Sequence, residues 1–269
     1  DAVRRYRPEN LIAKKIVVVG WPNGTGGMDP ETEALAERLR WMYSSVQLWT
    51  PEGGAGNKNA ELVDSEAPLV WSQQDLVWVH LSGRSTAVQA RYCEAADLVA
   101  GVAKDTRNAP WRRYSDSGGA LILSGLASCL VKELGWETSS PNGRYWGTMI
   151  VPGHGPSRHR AALPPGVSSL GIKPMDGAHA IFSGLPVEGF ATMEFNAAEL
   201  VSAAVWHRPR TGRTSWRAPF WPEQGRVLAG YWAAGLELAP DYAAVVEYPP
   251  RDRGRGMVVG GAFDPRVST

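Results

Sequence analysis

Ser117-Gly118-Gly119-Ala120-Leu121-Ile122-Leu123-Ser124-Gly125-Leu126-Ala127-Ser128-Cys129-Leu130-Val131 reads as a strand that ends in a sharp turn and opens straight into a helix. The apolar residues Ala120 to Leu123, bounded by a Gly pair and by Ser-Gly, suit a buried parallel strand. Leu126, Leu130, Val131 and Leu134 then recur at helical spacing. This is the layout of a nucleophile elbow. Its tip is Gly125, where a nucleophilic enzyme shows Ser or Cys.

Upstream, Lys14-Lys15-Ile16-Val17-Val18-Val19-Gly20 is a β-branched run closed by glycine and reads as the first parallel strand. The loop Trp21-Pro22-Asn23-Gly24-Thr25-Gly26-Gly27-Met28 leads to Asp29-Pro30, an N-cap followed by proline at the first helical position. A helix from 30 to about 43 presents Leu35, Leu39 and Met42 on one face. Residues 46–49 are strand-like, 76–80 form a clear strand, and 86–104 is helical with Val88, Tyr92, Ala95 and Ala96 as packing positions. Such alternation argues a parallel sheet with helices on both faces.

After Trp136 the periodicity fades. Residues 141–165 mix Gly, Pro, Arg and two His and read as an irregular excursion, part of an insertion over about 137–178. Strands at 200–205, 225–232, 243–248 and 257–263 follow with turns and hardly any helix between them, which suggests an antiparallel extension. The whole of 1–269 reads as one domain.

Composition narrows the partners. A chain of 269 residues buries about 70–75% of its unfolded surface, enough for one large domain. A net charge of +1, with scattered basic residues, leaves no footprint for nucleic acid or a membrane surface, and neither is expected as a partner. No apolar run reaches the roughly 20 residues that span a bilayer, and no signal-peptide core precedes Ile16. Starting at Asp1, the sequence is compatible with a processed or excised chain. Cys93 and Cys129 fall on separate expected helices and form no disulfide or metal pattern, so the compartment stays open.

The elbow resembles that of class I glutamine amidotransferase-like domains, in which a strand runs into G-x-C-x-G. Leu123-Ser124-Gly125-Leu126-Ala127 covers that motif, and Gly125 falls on its Cys. The family's His-Pro-Glu falls on Asp264-Pro265-Arg266, so all three catalytic positions are substituted. The order of the remaining motifs is similar to the ThuA-like branch, named for trehalose utilisation, and to related domains of carbohydrate-degrading bacteria. That order comprises Asp75-Leu76-Val77-Trp78-Val79-His80, the elbow, a His-x-Ile-Phe-x-Gly-Leu from His179 to Leu185, and a Gly-rich closing strand. The resemblance spans roughly residues 14 to 264. It implies an α/β, flavodoxin-like, doubly wound and mostly parallel sheet with an antiparallel C-terminal extension.

In such sheets ligands sit beyond the carboxyl ends of the strands. The 20–27 loop, with Trp21, Asn23, Gly24 and Gly26, is either an anion or hydroxyl cradle or a turn that glycine merely permits. His80 closes an apolar strand as either an acid/base group or a rim histidine bonded to a loop carbonyl. Ser124 and Ser128 flank the tip, as nucleophile candidates with His80 as base or as ordinary turn and helix-start residues. Asp264, Glu194 and Glu247 are the carboxylates to inspect for hydrolysis. His154 and His159 carry no zinc signature, and no metal is expected. Twelve Trp against five Phe include Trp21, Trp111, Trp146, Trp216 and Trp221 in expected loops, where they either stack on sugars or close satellite cores.

The expected function is a catalytically degenerate domain that recognises a small-molecule or oligosaccharide ligand, or supports a glycan-processing protein. Two alternatives stay open: a carbohydrate-active hydrolase, and a structural or oligomerisation module of a larger enzyme. The acids and His80 would serve the first, and homo-oligomers or flanking domains the second. No cofactor is expected.

Overall fold

Where the chain turns β-branched at Ile16 it also becomes buried, and Val17, Val18 and Val19 have no exposed surface at all. Strands β-branched and covered on both faces are those of a parallel sheet interior. In a computed structural model, residues 12–21, 28–50, 69–81, 109–131, 134–137, 169–175, 179–182, 193–196, 206–207, 222–232, 242–250 and 256–260 are described.

The first half supplies β1 (Ile12–Val19), helix α1 (Pro30–Arg40), β2 (Tyr43–Trp49), β3 (Leu76–Leu81), helix α2 (Pro110–Asp116) and β4 (Leu121–Gly125). The second half supplies β5 (Ser169–Pro174), β6 (Met193–Asn196), β7 (Trp206–His207), β8 (Arg226–Trp232), β9 (Tyr242–Tyr248) and β10 (Met257–Gly260). All ten strands join one sheet in the order β2-β1-β3-β4-β10-β9-β8-β5-β6, with β7 pairing β9 off that path. Pairing is parallel from β2 through β10, and antiparallel among β10, β9, β8, β5 and β6. The expected α/β class, with a parallel sheet and an antiparallel C-terminal extension, is what forms.

Two apolar layers sandwich the parallel part. On one face Ile16, Val18 and Leu48 pack against Leu35, Ala36 and Leu39 of α1. On the other, Val17, Val19, Val77, Val79, Leu121 and Leu123 pack with Trp111 and Tyr114 of α2 and with Leu130, Val131 and Leu134. The period of two along each strand therefore divides its residues cleanly between the layers.

Several local expectations change. Helix α1 stops at Arg40, so Met42 falls in the following turn, 44% exposed, and is no packing residue. Leu126–Val131 after the elbow is a 3₁₀ helix. Its Ala127, Leu130 and Val131 are still fully buried in the core. Trp111, expected in a loop, is 1% exposed inside α2. Strand β5 lies within the expected irregular insertion, and β6 was not anticipated. The closing strand β10 is parallel to β4, and only its other edge is antiparallel. The expected helix 86–104, the strand 200–205, Cys93, His154, His159, Trp146, Trp216 and Trp221 lie outside the described residues. No described helix is long and apolar enough to cross a membrane.

Candidate functional site

Strand order β2-β1-β3 means that the chain leaves β1 toward one side of the sheet and returns on the other. The carboxyl ends of β1 and β3 thus flank a topological switch point, where doubly wound sheets hold ligands. His80 lies at that end of β3, and in register it stands opposite Ser124 of β4. Side chains opposite each other in a pair share a face, so the two meet, with His80 Nδ1 2.8 Å from Ser124 Oγ. Trp78, two residues before His80 and hence on the same face, donates its indole N–H to the same oxygen at 2.8 Å.

The third member comes from α1. Asp29 is the N-cap, and its Oδ2 accepts from the backbone N–H groups of Glu31 and Thr32, each at 3.1 Å. Thr32 in turn lies against Gly20. A Cβ built on Gly20 would come within 2.3 Å of the Thr32 methyl, so only glycine lets the first turn of α1 sit so close to the end of β1. That close approach carries Glu31 across the top of the sheet, where its Oε2 lies 3.3 Å from His80 Nε2.

Glu31, His80 and Ser124 are all buried, with the first two 0% and the last 2% exposed. An indole N–H only donates, so Ser124 Oγ accepts from Trp78. In the neutral tautomer of His80 that donates Nε2–H to a Glu31 carboxylate, Nδ1 is the acceptor that faces the Ser124 hydroxyl. The result is a hydroxyl, an imidazole and a carboxylate in series.

Gly125 follows at φ +60°. A Cβ there would stand 2.7 Å from the Leu81 carbonyl oxygen and 3.1 Å from the His80 ring, so no side chain fits the tip where an elbow nucleophile would project. Ser128 donates to the Gly125 carbonyl at 2.6 Å and ties the turn down.

The other candidates scatter. Trp21 is 5% exposed and packs in the layer opposite His80, and its indole N–H has no acceptor among the described residues. Glu194 lies on β6, five strand positions from β4. Glu247 is held by His179, Oε1 to Nε2 at 3.3 Å, on the antiparallel side. Asn23, Gly24, Gly26 and Asp264 lie outside the described residues.

Glu31 was missed. In sequence it is one more acid in a first helical turn, a preference that the helix dipole explains by itself. Asp29, Glu31 and His80 also bring ligand atoms within 4.8 Å of one another, a donor set of a kind that divalent cations use. Here both His80 nitrogens are already hydrogen-bonded and one Asp29 oxygen caps α1, which makes the set a polar network in its own right.

The chain matches no known family profile and no curated protein. What stands is the parallel α/β sheet itself, compatible with a glutamine amidotransferase-like fold without being specific to it.

Proposed function

We propose that this chain is a class I glutamine amidotransferase-like domain of the ThuA-like kind, devoid of glutaminase chemistry, that recognises a carbohydrate-containing ligand at the β1–β3 switch point. The observation that carries this reading is Gly125. At φ +60° and hard against the Leu81 carbonyl, it occupies the elbow tip and leaves no room for the thiol that amide attack requires. What supports this reading is the succession of a strand, a turn of positive φ at Gly125 and a short helix, with glycine where the elbow's nucleophile would stand. Carbohydrate as the ligand class rests on the motif order and on the abundance of Trp.

A glycan-array screen of the 269-residue chain, with a parallel assay of ammonia release from glutamine, tests it. Binding to a defined glycan, lost in His80→Ala and without ammonia release, is the expected result. Ammonia release above the no-protein control defeats the first half of the proposal. Glycan binding that survives His80→Ala and disappears with Trp216→Ala moves the site elsewhere.

A further inference from the structure

We propose that Ser124 is a nucleophile, and that the site cleaves a small acyl ester, in the first instance an O-acetyl group carried by a carbohydrate. The sugar leaving group rests on the reading of the ligand above; the nucleophile does not. Its basis is the series of Ser124 Oγ, His80 and Glu31, at 2.8 Å and 3.3 Å, with the Trp78 N–H fixing the oxygen from the other side.

The arrangement meets the requirements of an activated hydroxyl one by one. A base stands within hydrogen-bond reach of the nucleophile, and a third group orients that base. Trp78 occupies one lone pair of Oγ, and with Nε2–H donating to a Glu31 carboxylate the hydroxyl proton points to Nδ1, the nitrogen that can receive it. Placement argues in the same direction. The face that carries these groups is otherwise Ile16, Val18 and Leu48, with Leu76 packed against them, and burying an imidazole and a carboxylate in it costs more than extending the apolar layer. The polar series is confined to the carboxyl end of the sheet, where the fold places ligands.

Ser124 is 2% exposed, so the acyl group proposed for it is the smallest common one, acetyl. An ester suits the groups present, since an alcohol leaves more readily than an amine and needs one proton from Nδ1.

Ser124 Oγ forms a bond to the acetyl carbonyl carbon as its proton passes to His80 Nδ1, and Glu31 stabilises the imidazolium. The ester C–O bond then breaks, and the sugar oxygen takes the proton from Nδ1. Water attacks the acetyl-serine, gives a proton to Nδ1, and acetic acid leaves as Ser124 recovers its hydroxyl hydrogen. Ser124 and His80 are catalytic residues in this scheme; Glu31 and Trp78 are positioning residues.

The test treats the native 269-residue chain with p-nitrophenyl acetate and, separately, with a small fluorophosphonate, and maps the modified residue by peptide mass spectrometry. Modification of Ser124 is expected in the native state and absent in urea. It should disappear in Ser124→Ala and slow by about 10²–10⁴-fold in His80→Gln, the range of general-base assistance. Glu31→Gln should lower kcat for the ester with KM unchanged, a split that simple loosening of the fold does not produce. No modification of native Ser124, or labelling that His80→Gln leaves unchanged in a folded protein, overturns the proposal. Labelled Ser124 with a blank glycan array keeps the nucleophile and removes the sugar. Glycan binding with inert Ser124 removes the nucleophile and keeps ligand recognition.

Discussion

Single residues decide most where polar groups are buried, and Tyr248 is the clearest case beyond the site. Its ring stacks edge-on to Trp136 at 5.8 Å, and its hydroxyl is buried near the Glu137 carboxylate. Burial first and the Glu137 charge second push its pKa above the ordinary tyrosine value. The folded state therefore keeps the proton when the unfolded chain loses it. Its titration leaves stability unchanged below about pH 10; above it, stability falls by up to about 1.4 kcal/mol per pH unit. Urea unfolding at pH 8 and at about pH 11 should show a smaller alkaline loss for Tyr248→Phe than for the native chain, and equal losses would refute the assignment. The same scale explains what the sequence revealed of the site. His80 and Ser124 were visible because each closes an apolar strand beside a turn. Glu31 was not, because its partner is 49 residues away and its own neighbourhood satisfies every rule for a plain helix start.

Elements were legible wherever one physical signal dominated. The Asp29-Pro30 start of α1 was readable because an N-cap followed by proline has few other uses, and Asp29 does accept from Glu31 and Thr32. The end of α1 was not, since Met42 continues the apolar period by coincidence while the chain has already turned. The segment after the elbow failed for a related reason: Leu126–Val131 satisfies either a helical or a 3₁₀ repeat over so short a run. Asp29 carries a double load, capping α1 and holding the turn from which Glu31 reaches His80. Asp29→Ala should lower stability by about 0.5–2 kcal/mol, measured as a shifted urea midpoint with unchanged slope. A variant as stable as the native chain would show that packing against Gly20, and not the cap, holds the first turn.

At the scale of the molecule, the sheet gains its stability from strands covered on both faces. The class was legible because β-branched runs alternate with helical segments in the first half and with turns in the second. The strand order was not, since nothing local tells β10 to cross and lie beside β4. That crossing has a physical consequence. It makes β4 an interior strand, between β3 and β10, as β3 already is between β1 and β4, while β2 and β6 remain at the ends of the sheet among the described strands. Val77, Val79, Leu121 and Leu123 are 0–1% exposed, and their amides should open to solvent only when the whole domain unfolds. The amides of β2, whose first half is partly exposed, should exchange sooner through local fraying. Native-state hydrogen exchange in low urea measures this directly. Interior amides should show openings that depend on urea as strongly as global unfolding does, and those of Tyr43 to Gln47 should show little dependence. Equal protection of β2 and β4 would place the edge of the stable sheet beyond β2. Early exchange of β4 would mean that the Ser124 site sits on a strand that opens independently of the core, and the rigid series through His80 to Glu31 would then have no fixed base to stand on.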